Sequence, residues 1–159
     1  MSANVLTAGL FALLIGVIAG LRTMTAPAAV SWAAHSGRLA LGGTWLAFLG
    51  YAWTPWILSC LALVEFVGDQ LPSTPSRTVP MQFGARLVSG ALAGAAIGTA
   101  GGALVGGLIA GVVGAVIGTL GGSRVRGRLA AAFGNDHPAA FIEDAVAIGG
   151  ALLIVVALR

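Results

Sequence analysis

The sequence predicts an all-α fold, a polytopic transmembrane helical bundle of five to six spans with one of them short or re-entrant, forming a single transmembrane domain over residues 1–159. Three observations predict it. Hydrophobic residues make up 58% of the chain and charged residues only 8%, against about 25% charged in soluble domains. So few ionic groups cannot cover a water-facing surface, and a bilayer supplies the apolar solvent instead. Apolar residues also come in long runs, and the 25 glycines recur within those runs at intervals of four, the spacing that lets membrane helices approach closely.

The first apolar run, residues 5–20, is nearly pure Leu, Ala, Ile, Val and Gly, and it ends at Arg22. Met1-Ser2-Ala3-Asn4 carries no positive side chain ahead of it, and the run is longer than most signal-peptide cores. The first helix is therefore expected to be retained. The second run, 26–34, is a short tilted span or a re-entrant segment, with Pro27 in its first turn. Thr25 is placed to cap it. The third runs from about 55 to 67, and the last from 139 to 158.

Residues 87–120 cannot form one span. Thirty-four helical residues would reach about 50 Å, against about 30 Å of hydrocarbon. Gly101-Gly102 is the natural break, giving a tight helical hairpin. Gly90, Gly94, Gly98, Gly102 and Gly106 repeat every four residues, as do Gly107 and Gly111, then Gly114, Gly118 and Gly122. That glycine zipper predicts close helix packing, within the subunit or in a homo-oligomer, and less readily a helix-lined pore. An internal repeat is also readable. Ile15-Gly16, Gly20 and Arg22 match Ile117-Gly118, Gly122 and Arg124 in a shared I-G-x-x-x-G-x-R pattern.

All eight cations are arginine. They form no basic stripe interleaved with aromatics, so nucleic acid is not an expected partner. They read as membrane-edge anchors. With six spans and the N-terminus outside, Arg22, Arg77, Arg86, Arg124, Arg126 and Arg128 lie inside, with Arg38 and Arg159 outside. Trp45, Tyr51, Trp53 and Trp56 then fall at the outer boundary, where aromatic belts form. The single cysteine, Cys60, excludes an intrachain disulfide.

The five acids, Glu65, Asp69, Asp136, Glu143 and Asp144, all fall toward the inner side of that topology. A carboxylate at the centre of a membrane helix costs on the order of 2.5–3.5 kcal/mol, so these groups require compensation. Arg22, Arg86 or Arg124 at helix ends, a bound cation, or a proton would each supply it. Glu65 and Asp69 are four apart and share a face. Glu143 and Asp144 point about 100° apart, so they address different partners. The expected ion or solute site is Glu65, Asp69, Glu143, Asp144, Arg22 and Arg124, unless these groups simply lock helix ends together. The segment Leu71-Pro72-Ser73-Thr74-Pro75-Ser76-Arg77 is either a stiff turn or an anion or headgroup contact through Ser73, Thr74, Ser76 and Arg77. No serine-hydrolase, zincin, Walker or dinucleotide motif occurs. His35 and His137 fall on opposite sides, so metal-dependent chemistry is not expected, nor is an enzyme or a cofactor, and whether a metal ion is held by the carboxylates stays open.

Three blocks carry a resemblance. They are Gly20-Leu21-Arg22-Thr23-Met24-Thr25-Ala26-Pro27-Ala28, Glu65-Phe66-Val67-Gly68-Asp69-Gln70 with the proline-rich segment through Arg77, and Ile142-Glu143-Asp144-Ala145-Val146-Ala147-Ile148-Gly149-Gly150. Together they resemble the bacterial multi-pass membrane proteins catalogued as domain of unknown function 4126, over nearly the whole chain. Gly68 and Gln70 stand where that family is expected to have alanine and lysine. The resemblance implies a membrane protein and points to Arg22, Glu65, Asp69, Arg77, Glu143 and Asp144, with no activity attached. The expectation is a small channel or transporter for an ion or small solute in the bacterial inner (plasma) membrane, among lipids and as a homo-oligomer. The alternative is a non-transporting structural or lipid-binding membrane protein.

Overall fold

A computed structural model describes residues 3–69 and 78–158. Among these residues the chain is all helical, with α1 (Ala3–Leu21), α2 (Thr25–His35), a 3₁₀ turn at Ala47–Gly50, α3 (Thr54–Gly68), α4 (Pro80–Ala100), α5 (Leu104–Phe133) and α6 (Asp136–Ala157). Helices α1, α4, α5 and α6 are long and apolar enough to cross a membrane. Helix α3 is apolar but has 15 residues, and α2 has 11. At 1.5 Å per residue these reach only about 22 Å and 16 Å. The segment containing Ser73, Thr74, Ser76 and Arg77 lies outside the described residues.

Successive helices alternate in direction. Helices α1, α3 and α5 arrive at one end of the bundle, where α2, α4 and α6 begin, as the contacts of residues 20–24 with Glu65, Arg86 and Asp144 require. At the other end Asn4, Arg38, Gly101 and Leu158 line a shallow cavity of about 500 Å³. There Arg38 Nη1 donates to the Val156 carbonyl at 3.2 Å.

The hairpin turn between α4 and α5 closes as a Schellman motif. Ala103 N–H donates to Gly98 O at 2.7 Å and Gly102 N–H to Thr99 O at 3.1 Å. Gly102 has φ +75°, a conformation that penalises any residue with a Cβ. Downstream, α5 does not stop near 120 but continues to Phe133. Its 30 residues span about 45 Å, longer than the hydrocarbon core, and its last part carries Arg124, Arg126 and Arg128. Asn135 then starts α6 a turn earlier than the apolar pattern suggests, its side chain accepting from His137 N–H at 3.1 Å.

Three helices cross where glycines remove the side chains between them. A Cβ on Gly90 would lie 2.6 Å from Gly111 O, and one on Gly16 or Gly111 would also run into backbone, of Gly111 and Gly90 respectively. Further along, a Cβ on Gly98 would sit 2.7 Å from Gly107 Cα, and one on Gly20 would sit 2.7 Å from Gly118 Cα. Because Gly16 meets Gly111 and Gly20 meets Gly118, α1 and α5 run parallel. The two I-G-x-x-x-G-x-R segments thus lie on neighbouring helices, but α1 ends at Leu21 whereas α5 runs straight through Arg124.

This crossing predicts a sharp positional contrast. Gly111→Val should lose about 1–3 kcal/mol through overpacking, or fail to assemble. Gly127→Ala, where an added Cβ meets nothing within 4 Å, should stay within about 1 kcal/mol of the parent. Thermal unfolding in detergent measures both, and equal effects would contradict the packing described.

Candidate functional site

The polar centre is built around the break between α1 and α2. A helix end leaves carbonyls without intrahelical donors, and a helix start leaves amides without acceptors. Both ends here are enclosed by neighbouring helices, so side chains take the place of water. Arg86 Nη1 on α4 donates to Gly20 O at 2.9 Å and Leu21 O at 2.8 Å. Thr119 Oγ1 on α5 reaches Gly20 O at 3.3 Å, and Ser89 Oγ donates to Thr23 O.

On the α2 side, Glu65 of α3 accepts from Thr23 N–H through Oε1 at 2.7 Å and from Met24 N–H through Oε2 at 2.8 Å. The expectation that Thr25 caps α2 is therefore corrected. Thr25 lies inside the helix, Met24 holds the N-cap position without a side-chain bond, and Thr25 Oγ1 is buried with no partner. A carboxylate at an amide-rich, electropositive helix start is better placed than a hydroxyl.

Arg22 follows α1 directly and has 0% exposure. Its Nη1 pairs with Asp69 Oδ2 at the end of α3, and its Nη2 with Asp144 Oδ1 on α6. The guanidinium carbon also lies 5.5 Å from the centroid of the Phe66 ring, within cation–π range. Arg22 Nε remains buried without a hydrogen-bond acceptor. One cation thus faces two carboxylates from two helices, while a third carboxylate sits on the adjoining amides.

A second ion-pair group joins α5 to α6. Arg126 Nε donates to Asp136 Oδ1 at 2.9 Å, and its Nη1 reaches Glu143 Oε2 at 3.4 Å. Arg124, named from the sequence as a partner, is exposed on the same helix. Two residues along a helix turn the side chain by about 200°, which takes Arg124 away from the face that meets α6.

The structure therefore brings Arg22, Glu65, Asp69 and Asp144 together, puts Glu143 beside them on Arg126, and leaves Arg124 outside. Sequence reasoning did not assign Arg126, Ser89 or Thr119, and it had Arg86 only as one candidate among helix-end arginines. A signal was present. Extending the Gly114-Gly118-Gly122 spacing by four gives Arg126, and extending Gly98-Gly94-Gly90 backward by four gives Arg86, so both arginines prolong packing faces. His35 and His137 lie at opposite ends, on the last residue of α2 and the second of α6. No group of three metal-ligating side chains occurs among the described residues.

By the length and composition of its four long helices, this is a membrane protein of the helical class. No protein-family model, curated protein or solved structure matches the chain.

Removing the central cation while its partners stay charged should be costly. Arg22→Ala is expected to lose about 3–5 kcal/mol, the range for breaking a buried pair. Arg22→Lys should recover little, because an ammonium cannot fork between two carboxylates. Adding Asp69→Asn and Asp144→Asn to Arg22→Ala should restore much of the loss. Arg124→Ala should change stability by less than about 0.5 kcal/mol. Denaturation in mixed detergent micelles reads all four.

Proposed function

We propose that the protein is a small channel or transporter for an ion or small solute, with its polar site at the α1–α2 break. The observation that carries this reading is the fully buried Arg22 guanidinium shared by Asp69 and Asp144 from two other helices. Ionisable groups inside membrane helices are costly, and by default they point to a functional site such as a pathway for ions or solutes. One cation against two carboxylates leaves a spare negative charge, which a proton, a cation or a rearranged partner balances. The α1–α2 break adds the second feature expected of such a site, since discontinuous helices present unpaired backbone groups at the membrane interior. The proposal includes membership of the family catalogued as domain of unknown function 4126, residence in the bacterial inner membrane, and assembly as a homo-oligomer through glycine-rich faces.

A second reading, a structural or lipid-binding protein without transport, is favoured by one specific observation. All five carboxylates have partners within the chain: backbone amides for Glu65, Arg22 for Asp69 and Asp144, and Arg126 for Asp136 and Glu143. On that reading the network only ties helix ends together.

Proteoliposomes separate the two. Flux of H⁺, Na⁺, K⁺ and small organic anions is measured for the parent, Asp144→Asn and Glu65→Gln, each checked for assembly by size-exclusion chromatography. Transport predicts that at least one solute moves and that both substitutions change its flux at least tenfold in assembled protein. Flux indifferent to both, or none for any solute alongside a fall in melting temperature, would leave the structural reading.

A further inference from the structure

The α1–α2 break has the composition of an anion-binding site, and the ligand it holds belongs to the chain itself. Glu65 places one carboxylate oxygen on each of two consecutive amides, Thr23 and Met24, at the start of the 11-residue α2. That arrangement is how a helix N-terminus receives a free carboxylate or phosphate. Beside it lies the Arg22 guanidinium, with no exposed surface, taking Asp69 from the same helix.

Two buried donors at the same break have no acceptor: Arg22 Nε and Thr25 Oγ1. A buried donor left unpaired costs about 1–3 kcal/mol, so the two α3 carboxylates do not exhaust what the site can offer. A ligand with more oxygens, or one differently placed, would engage groups that Glu65 and Asp69 leave idle.

Helix α3 is also the element most easily displaced. It packs on α2 and the 3₁₀ turn, and its firm anchors are at its N-terminal half. Trp56 meets Trp32 edge-to-face at 5.0 Å, and Trp32 Nε1 donates to Ser59 Oγ at 3.0 Å. Toward its C-terminus, Leu63, Val64 and Val67 are each more than 60% exposed, and the helix is held there by Glu65, Asp69 and Phe66. By contrast α1, α4 and α5 touch backbone to backbone through glycine. Helix α6 has its own ties in Arg126–Glu143 and in Gly150 seated against Ile18.

We infer that the α1–α2 break is a site for a small carboxylate-bearing solute, and that Glu65 and Asp69 fill it as an internal plug until such a solute displaces the C-terminal half of α3. The inference deepens the proposed transport site by naming its ligand class, and it rests on that reading only for the passage of the solute across the membrane. The groups facing the displaced carboxylates are Arg22, the Thr23 and Met24 amides and Thr25 on the α1–α2 segment, with Asp144 on α6 on the far side of Arg22. Asp144 stays behind and partly shields the guanidinium, so an incoming monoanion restores the charge balance that Asp69 had provided.

Cys60, the only cysteine, lies beside the Ser59 anchor of α3, so it is changed to serine, and Val67→Cys, exposed on the half of α3 that moves, carries the probe. A spin label there is paired with a second on Val113→Cys, an exposed position of α5. The interlabel distance is then followed in nanodiscs with acetate, and with chloride at equal ionic strength. Acetate should populate a longer distance in the otherwise unmodified chain while chloride does not, and Arg22→Lys should abolish the response. Glu65→Gln with Asp69→Asn should give the longer distance without acetate. A single unchanged distance in the unmodified chain at every acetate concentration overturns the plug, even where the double substitution lengthens it, since the carboxylates then serve only as a cap. An equal response to chloride overturns it as well, because that is screening. An acetate response without liposome flux keeps the site and removes transport, whereas flux without an acetate response removes the site and keeps transport.

Discussion

A guanidinium withdrawn from water has to be met by charge or by hydrogen-bond acceptors, and the position of Arg22 decides much of what surrounds it. Its penalty without partners is several kcal/mol, comparable with the net stability of an ordinary small domain. Asp69 and Asp144 are therefore held where they are by a requirement of the core and not by surface preference. Through them Arg22 sets how the end of α3 and the first half of α6 lie against the break. The same requirement reaches α4 and α5, because the chain on either side of Arg22 leaves carbonyls that Arg86, Ser89 and Thr119 receive.

That enclosure depends on close helix approach, which glycine permits. With Gly16, Gly90 and Gly111 meeting at one crossing, α1, α4 and α5 come near enough for the end groups of one helix to be reached by short side chains from its neighbours. Thr119 is an example. A hydroxyl on a short stem bonds both Ala115 O on its own helix and Gly20 O across the interface. A larger residue at Gly20, whose Cβ would press on Gly118 and Thr119, would push that bond out of range. Packing and polar satisfaction are thus one constraint in this region.

The parts of this arrangement legible in the sequence are those with a local cause. The hairpin turn at Gly101-Gly102 follows from a run too long for one membrane crossing, together with the glycine that a left-handed helix end requires. The pairing of acids with arginine follows from the cost of isolated charge, which singled out Arg22, Glu65, Asp69, Glu143 and Asp144. The choice among partners was not local. Arg124 and Arg126 differ by two positions, and only the direction in which α5 faces α6 distinguishes them. The cap on α2 comes from Glu65, forty residues downstream, and no pattern around Thr25 signals a carboxylate arriving from another helix. The length of α5 was also hidden, because arginines that mark a membrane edge do not mark a helix end.

The division of labour between glycine and charge bears on what can move. Backbone-to-backbone packing among α1, α4 and α5 loses its contacts abruptly if the helices separate, since dispersion falls steeply with distance and no long side chain can follow the gap. An ion pair or a carboxylate on amides behaves differently, because another anion or water can take the place of each partner as it leaves. Where the two kinds of contact meet, at residues 20–24, a tightly fixed backbone faces a helix held at one end by exchangeable groups. A carboxylate from solution would find donors already aligned, with the cost of burying Arg22 already met by the fold. For this reason the polar end of α3, and not the glycine crossing, is the place in the molecule where binding energy could be converted into displacement.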